Sequence, residues 1–68
     1  MIGKVARKIQ DKGFGFIEST EDGKDYFFHH SECSYPFDSL KEGDIVEFEV
    51  AKHPKGPRAN KVKPVDNG

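Results

Sequence analysis

Aromatic rings at alternating positions are the side chains in this sequence best suited to chemistry. They lie in two short segments, 12–17 and 25–30. The rings are those of Phe14, Phe16, Tyr26, Phe27, Phe28 and His29. Such rings stack on the flat faces of nucleic-acid bases, and each stack contributes about 1–3 kcal/mol to binding. The same rings also form apolar cores, so their role depends on which of them meet water.

A hairpin built from these two segments carries rings on both faces, because consecutive strand residues point in opposite directions. A small domain has one interior, so one set of rings is left facing solvent. The expected inner set is Val5, Ile17, Tyr26, Phe28, Val46, Phe48 and Val62. The set left outside is Phe14, Phe16, Phe27 and His29, with Lys12 at its border. A row of rings beside a cation favours stacking of single-stranded bases. The alternative is that the rings cover one another or pack under a loop.

Other chemistries have weaker support in the sequence. His29, His30, Cys33 and His53 are potential metal ligands, but their spacing matches no common zinc pattern. Adjacent strand residues point to opposite faces, so His29 and His30 are not expected to bind one ion. The Gly-x-Gly of 13–15 lacks the third glycine of a dinucleotide motif. We therefore predict no metal site, no cofactor, no small-molecule substrate and no catalytic residue.

The elements that position these rings are predicted to be short strands, because glycines and prolines interrupt the chain densely. Five strands are predicted: the first covers about 2–10, the second begins with 13–17 and runs toward a turn signal at 21–24, and the others cover 25–29, 44–50 and about 58–63. A short helical turn is expected near 31–33. The fourth strand alternates most regularly, with Val46, Phe48 and Val50 predicted to face inward. Five strands without a crossover helix predict an all-β fold, a closed five-stranded antiparallel barrel, because closure removes exposed sheet edges.

Length and composition are consistent with one small domain. We assign it to 1–65, with 66–68 as a frayed tail. With an apolar fraction of 34%, its stability is expected to be marginal, about 3–5 kcal/mol. Cys33 is the only cysteine, which is typical of a reducing compartment. No apolar run resembles a signal peptide or a membrane span, so we expect a cytoplasmic monomer without membrane contact.

Charge is segregated along the chain although the net charge is only −1. Residues 1–12 carry four cations and one acid, a balance of +3, and residues 52–63 carry five cations and no acid, a balance of +5. The middle, 18–49, has ten acids and two lysines, a balance of −8. The two chain ends are therefore able to build a basic face. The alternative is a set of solvated charges without a common role.

The aromatic segments also carry a family resemblance. Segment 12–17, Lys-Gly-Phe-Gly-Phe-Ile, matches without a change the first ribonucleoprotein motif of the cold-shock domain family, the OB-fold single-strand binders. Segment 25–30 is similar to the second motif, and the resemblance extends from Gly3 to Ala59. It implies that the exposed rings contact bases and that Lys12, Asp25 and Phe37 line the same surface. The full predicted binding set is Arg7, Lys12, Phe14, Phe16, Asp25, Phe27, His29, His30, Phe37 and Arg58.

The sequence departs from the family pattern at several aromatic positions. Arg7 stands where the family usually has a stacking Trp, and Lys8 stands where an apolar ring usually supports the core. Tyr26 and Phe28 replace smaller valines, which suggests an exchange of volume with Lys8. His30 replaces the terminal Phe of the second motif. An arginine can lie flat on a base but offers less apolar area than Trp.

The resemblance implies a protein that binds single-stranded RNA or DNA with low sequence specificity, by stacking on exposed aromatics. An RNA chaperone or a cold-shock-type regulator acts in this way, and no enzymatic activity is expected. The alternative is a cold-shock-like barrel that serves as a protein-interaction module, with weak or lost nucleic-acid binding. The missing Trp, His30 and the acidic middle keep that alternative open.

Overall fold

The computed structural model describes residues 1–65, which form strands joined by turns and loops. The strands are β1 (Ile2–Ile9), β2 (Phe14–Ser19), β3 (Asp25–His29), β4 (Ile45–Ala51) and β5 (Arg58–Pro64). Short 3₁₀ turns lie at Gln10–Lys12, His30–Glu32 and Phe37–Ser39. The predicted frayed tail, 66–68, lies outside the described residues, and the assignment of 1–65 as the domain stays a prediction.

The strands close into a barrel in the order β1-β2-β3-β5-β4. Neighbouring strands pair antiparallel except β3 and β5, which pair in parallel where Phe27 meets Arg58. A closed ring with an odd number of strands cannot alternate in direction throughout, so one parallel pair is unavoidable. The predicted all-β five-stranded barrel is confirmed, and its strictly antiparallel pairing is corrected at this one junction.

The interior of the barrel contains all seven residues of the expected inner set. Their exposed fractions are all small, at most 5% for Tyr26. Leu40, from the loop before β4, and Ala59 are also fully buried, and neither was predicted. Val50 was expected to be buried but is 41% exposed. It pairs with Ala59, but β1 pairs only with Ile45–Glu47, so this end of β4 extends past its partner strand.

A bulge in β1 decides which of its side chains face the rings. Val5 pairs with Ile17 and Arg7 pairs with Phe16, so Ala6 is the extra residue. Cross-strand partners share a face of the sheet. Arg7 therefore lies on the outer face with Phe16, although simple alternation from the buried Val5 would turn it inward. One residue later, Lys8 pairs with Gly15 and lies on the opposite face.

Gly15 allows β1 and β2 to approach closely beside this bulge. It is buried, and a Cβ added there would overlap the carbonyl oxygen of Arg7 and lie 2.8 Å from Cε1 of Phe28. Gly13, between the first 3₁₀ turn and β2, has a φ of 71°, which favours glycine. A Cβ at Gly13 would lie 2.5 Å from Cδ2 of His30. The two glycines of the first motif thus have steric roles, one against a core ring and one against a surface ring.

The turn between β2 and β3 is tied to the core by a tyrosine–carboxylate hydrogen bond. The hydroxyl of buried Tyr26 donates to Oδ2 of Asp22 at 2.7 Å. This bond, helped by the backbone N–H of Lys24, lowers the pKa of the Asp22 carboxyl. The same bond raises the pKa of the Tyr26 hydroxyl. The pair therefore stabilises the fold while Asp22 is ionised and Tyr26 is protonated.

Replacing Tyr26 with Phe is expected to lower the melting temperature at neutral pH. A lowered folded-state pKa of Asp22 contributes stability above its unfolded value of about 3.9 and loses it as pH falls through the folded value. The raised pKa of Tyr26 contributes below about 10 and is lost as pH rises through its folded value. The difference in melting temperature between Tyr26→Phe and the natural chain should therefore shrink in acid. Thermal unfolding at a series of pH values measures this difference. Tyr35→Phe, at a residue 40% exposed, is the control. A deficit that stays constant down to pH 2 would contradict the assignment.

Candidate nucleic-acid interface

Three phenylalanine rings, those of Phe14, Phe16 and Phe27, form a cluster on the outside of the barrel. The centroids of Phe14 and Phe27 lie 5.3 Å apart, with the rings tilted by 34°. Phe16 meets Phe14 at 6.1 Å and Phe27 at 5.8 Å, edge to face in both cases. All three rings are half-buried, because each covers part of its neighbours. The cluster thus combines mutual packing with an apolar surface that solvent still reaches.

The register of β2 and β3 places this ring cluster outside. Phe16 pairs with Phe27, and Phe14 pairs with His29, so these side chains share one face. The intervening pairs, Ile17 with Tyr26 and Gly15 with Phe28, occupy the inner face and are buried. The predicted assignment of the two hairpin faces is therefore confirmed. Asp25 is exposed and lies two residues before Phe27 on the same strand.

The parallel junction brings Arg58 onto the ring cluster. Its guanidinium carbon lies 4.8 Å from the centroid of Phe27, in a cation–π arrangement. The same guanidinium forms a 2.8 Å ion pair with Glu32, and Nε of Arg58 is buried without a hydrogen-bond partner among the described residues. Arg58 thus covers part of Phe27 and is held there by a carboxylate. Glu32 was not anticipated from the sequence, since only the barrel closure brings it to β5.

His29 and His30 lie side by side rather than on opposite faces. Their ring centroids are 4.2 Å apart, because β3 ends at His29 and a 3₁₀ turn begins at His30, so strand alternation no longer applies. The backbone N–H of Ser31 donates to Nδ1 of His29 at 3.3 Å, which orients that ring. The argument that strand geometry separates the two histidines is therefore wrong. Within 1–65 no group of three or more potential metal ligands occurs.

A groove of about 750 Å³ reaches Gly13, the residue before Phe14 of the ring cluster. It lies between the 3₁₀ turn Gln10–Lys12 and the loop 33–38. Its aromatic lining residues are His30, Tyr35 and Phe37. The ring of Phe37 also lies 6.3 Å from that of His30. Lys12, His30 and Phe37 therefore line one groove, and Tyr35, which was not predicted, lies in a loop without strand periodicity.

A second groove, of about 440 Å³, borders the cluster at Phe27. Phe27 and Arg58 line it together with His53 and 55–57 from the loop between β4 and β5. His53 and Lys55 were not predicted as site residues, although Lys55 lies in the basic segment noted in the sequence. This second groove therefore includes a ring of the cluster, whereas the first groove is lined by Gly13, which precedes Phe14 in sequence.

Charge on the barrel is more balanced than the segregation in sequence suggested. Lys63 pairs with Glu47 at 3.0 Å and Lys61 pairs with Glu49 at 3.4 Å, so acids of β4 neutralise cations of β5. These pairs are exposed, and such pairs add little stability. Within 1–65, the cations beside the ring cluster or lining the grooves that form no ion pair include Arg7, Lys12 and Lys55. Three of the five cations of 52–63 are thus paired with carboxylates, which weakens the basic face at that end of the chain.

Comparison with known proteins agrees with this geometry. The family described as the 'Cold-shock' DNA-binding domain matches residues 1–65. The chain belongs to the cold-shock domain family. Members of this family bind nucleic acid. A cold shock-like protein of Thermotoga maritima is 46% identical over 67 residues, which cover 97% of this chain and all of that protein. Cold shock-like protein CspA of Stigmatella aurantiaca is 47% identical over 55 residues, 79% of this chain and 81% of that protein.

The structural comparison confirms the cold-shock fold. The structure described as drosophila Unr CSD456 has a TM-score of 0.80 to this chain at 27% identity. The match covers 97% of this chain and 26% of that one. The predicted OB-fold is therefore confirmed. In the described part of this cold-shock domain, no helix is long and apolar enough to cross a membrane.

Arg7 is the departure in this cold-shock domain with the clearest expected consequence. The bulge in β1 places it opposite Phe16, where it is exposed beside the ring cluster. Arg7→Trp should therefore add a planar apolar ring next to Phe16 and tighten binding of a pyrimidine-rich oligonucleotide by about 1 kcal/mol or more, roughly fivefold. Fluorescence titration at moderate salt measures the change.

Arg7→Ala is the matched control, because it removes the same charge without adding a ring. If binding through Arg7 is mainly electrostatic, both variants should weaken it, since both lose one cation. Weaker binding by Arg7→Trp than by the natural chain would rule out stacking at this position and leave Arg7 as a phosphate contact or part of a protein interface.

Proposed function

We propose that this cold-shock domain binds single-stranded RNA or DNA with low sequence specificity, by stacking bases on the ring cluster and the adjoining grooves. In this proposal the predicted binding residues act as one surface, on which aromatic side chains contact bases and cations contact the backbone. The proposed cellular role is that of an RNA chaperone or a cold-shock-type regulator. Location in the cytoplasm and a monomeric state stay predictions.

The half-exposed ring cluster is the observation that carries this proposal. A chain of 68 residues has little apolar material for its core. Phe14, Phe16 and Phe27 are nevertheless placed outside the barrel. Placing three phenylalanines outside a marginal core forgoes stability that they would add inside it. Ligand binding by these rings provides a functional reason for this placement. Aromatic rings bordered by a few cations match the way sequence-tolerant single-strand binders hold successive bases.

A competition titration tests the proposal. A labelled pyrimidine-rich single strand is bound first, and unlabelled single strand or duplex of equal length is then added. The single strand should compete much better, because bases in a duplex are stacked on one another and cannot reach the rings. Equal competition by duplex would contradict binding through base faces.

The salt dependence of the same titration separates stacking from charge attraction. The few free cations near the rings suggest that two or three phosphates are neutralised, which gives a log–log slope of roughly −1.5 to −2 for a single strand. A slope steeper than about −4 would show that the basic segments dominate binding. The absence of measurable binding at low salt would favour the protein-interaction alternative, since the same apolar surface can receive a polypeptide.

A further inference from the structure

Lys8 makes an unusual set of contacts for a lysine on a small barrel. Its backbone N–H donates to Oε2 of Glu42 at 3.0 Å. Its Nζ donates to the carbonyl oxygen of Leu40 and lies 4.7 Å from the centroid of the Phe37 ring. One residue of β1 thus contacts three residues of the loop before β4. Nearby, the side chain of Gln10 donates to Asp38 of the same loop.

These contacts fix the position of Phe37. The ring is half-buried, with the core residue Phe28 at 5.8 Å on one side and the Lys8 ammonium at 4.7 Å. Connecting loops are mobile unless they are tied down. Leu40 anchors this loop from inside the barrel, and Lys8 anchors it from β1. An ammonium that donates to a carbonyl and lies over a ring is partly withdrawn from solvent. Its charge therefore interacts with these protein groups.

We propose that Lys8 is a positioning residue for nucleic-acid binding: it holds Phe37 and the loop 37–42 in place without contacting the ligand. The proposal rests on the proposed function, in which Phe37 contributes a wall of the groove shared with Lys12 and His30. It differs from the simpler expectation that a lysine near such a surface contacts a phosphate. The two roles predict different salt dependences and different coupling to Phe37.

Replacing Lys8 with Met keeps the aliphatic stem and removes the ammonium. We expect single-strand affinity to fall about three- to tenfold, the equivalent of losing one partly desolvated cation–π contact. The log–log salt slope should stay unchanged, because no phosphate contact is lost. Lys8→Arg, which keeps a cation and N–H donors, should restore part of the affinity. Lys24→Met, at an exposed lysine in the turn at the other end of the β2–β3 pair, controls for the change in net charge.

A double-mutant cycle with Phe37→Ala decides the mechanism. If Lys8 acts through Phe37, Lys8→Met should have little further effect once the ring is absent. An equal loss in both backgrounds, a salt slope reduced by about 0.7, or affinity unchanged in Lys8→Met would each overturn the proposal. Only variants shown to be folded by circular dichroism enter the cycle. If Lys8→Met is not folded, Lys8→Arg replaces it in the cycle.

The ring resonances of Phe37 in the free protein provide a readout that does not depend on binding. They should shift and broaden in Lys8→Met and change little in Lys24→Met. If the natural chain failed to bind oligonucleotides, the proposed function would be wrong, whereas this spectroscopic change would still show that Lys8 positions the ring. Unchanged Phe37 resonances in Lys8→Met would overturn the positioning role itself.

Discussion

Replacing Phe27 with alanine should reduce the affinity for a pyrimidine-rich single strand by about 1–3 kcal/mol, or roughly 5- to 150-fold. Phe27 contacts both other rings of the cluster and the Arg58 guanidinium. Its loss removes one stacking face and also releases the two rings and the cation that pack on it. Equilibrium titration by fluorescence or calorimetry measures the effect.

Two matched variants separate aromatic stacking from apolar packing. Phe27→Leu keeps most of the apolar volume, so its melting temperature should stay near that of the natural chain while its binding falls almost as far as in Phe27→Ala. Ile45→Ala removes a side chain that is 39% exposed at the start of β4, away from the rings, and should leave binding unchanged. Full affinity in Phe27→Leu would show that the surface needs only apolar area, which favours a protein partner.

Replacing Phe28 with alanine should leave most of the chain unfolded at room temperature. Phe28 is fully buried, and truncation of a buried Phe costs about 3–5 kcal/mol. That cost is comparable to the whole stability expected of a domain of this size, about 3–5 kcal/mol. Urea denaturation followed by circular dichroism should show a lost or strongly shifted transition.

The neighbouring outward rings provide the comparison for this experiment. Phe14→Ala and Phe16→Ala remove half-buried rings, so each should lower stability by less than Phe28→Ala does and weaken binding more clearly. The reverse pattern, with Phe16→Ala unfolded and Phe28→Ala well folded, would mean that the two hairpin faces had been assigned the wrong way round.

Under the proposed function, Arg58 affects how a base would stack on the ring cluster. Arg58 lies over Phe27 and is paired with Glu32, so part of that ring face is occupied before any ligand arrives. A base that stacks there must displace the guanidinium or stack against it, and arginine planes are themselves good stacking partners. The groove formed by Arg58 and 55–57 beside Phe27 offers room for the second arrangement.

Much of the fold could be predicted from the sequence, because local rules determine it. The alternation within 14–17 and 25–29 correctly separated inner from outer rings, since the pleat of a strand is a property of the backbone itself. The turn before β3 was indicated by the signal at 21–24. The seven residues of the expected inner set are buried because alternation places them on one face, although Leu40 and Ala59 were missed and Val50 is exposed. The motif of 12–17 was specific enough to indicate the family that the comparisons then showed.

The features of the site that strand alternation could not predict all depend on contacts between distant parts of the chain. The bulge at Ala6 turns Arg7 toward the rings and Lys8 toward the loop, and it is set by how β1 meets β2. Arg58 reaches Phe27 only because an odd number of strands closes with one parallel pair. Phe37 owes its position to a loop without periodicity. Local backbone geometry therefore determined which rings face outward. Register and closure are fixed only when the whole barrel packs, and they determined which cations and loops surround those rings.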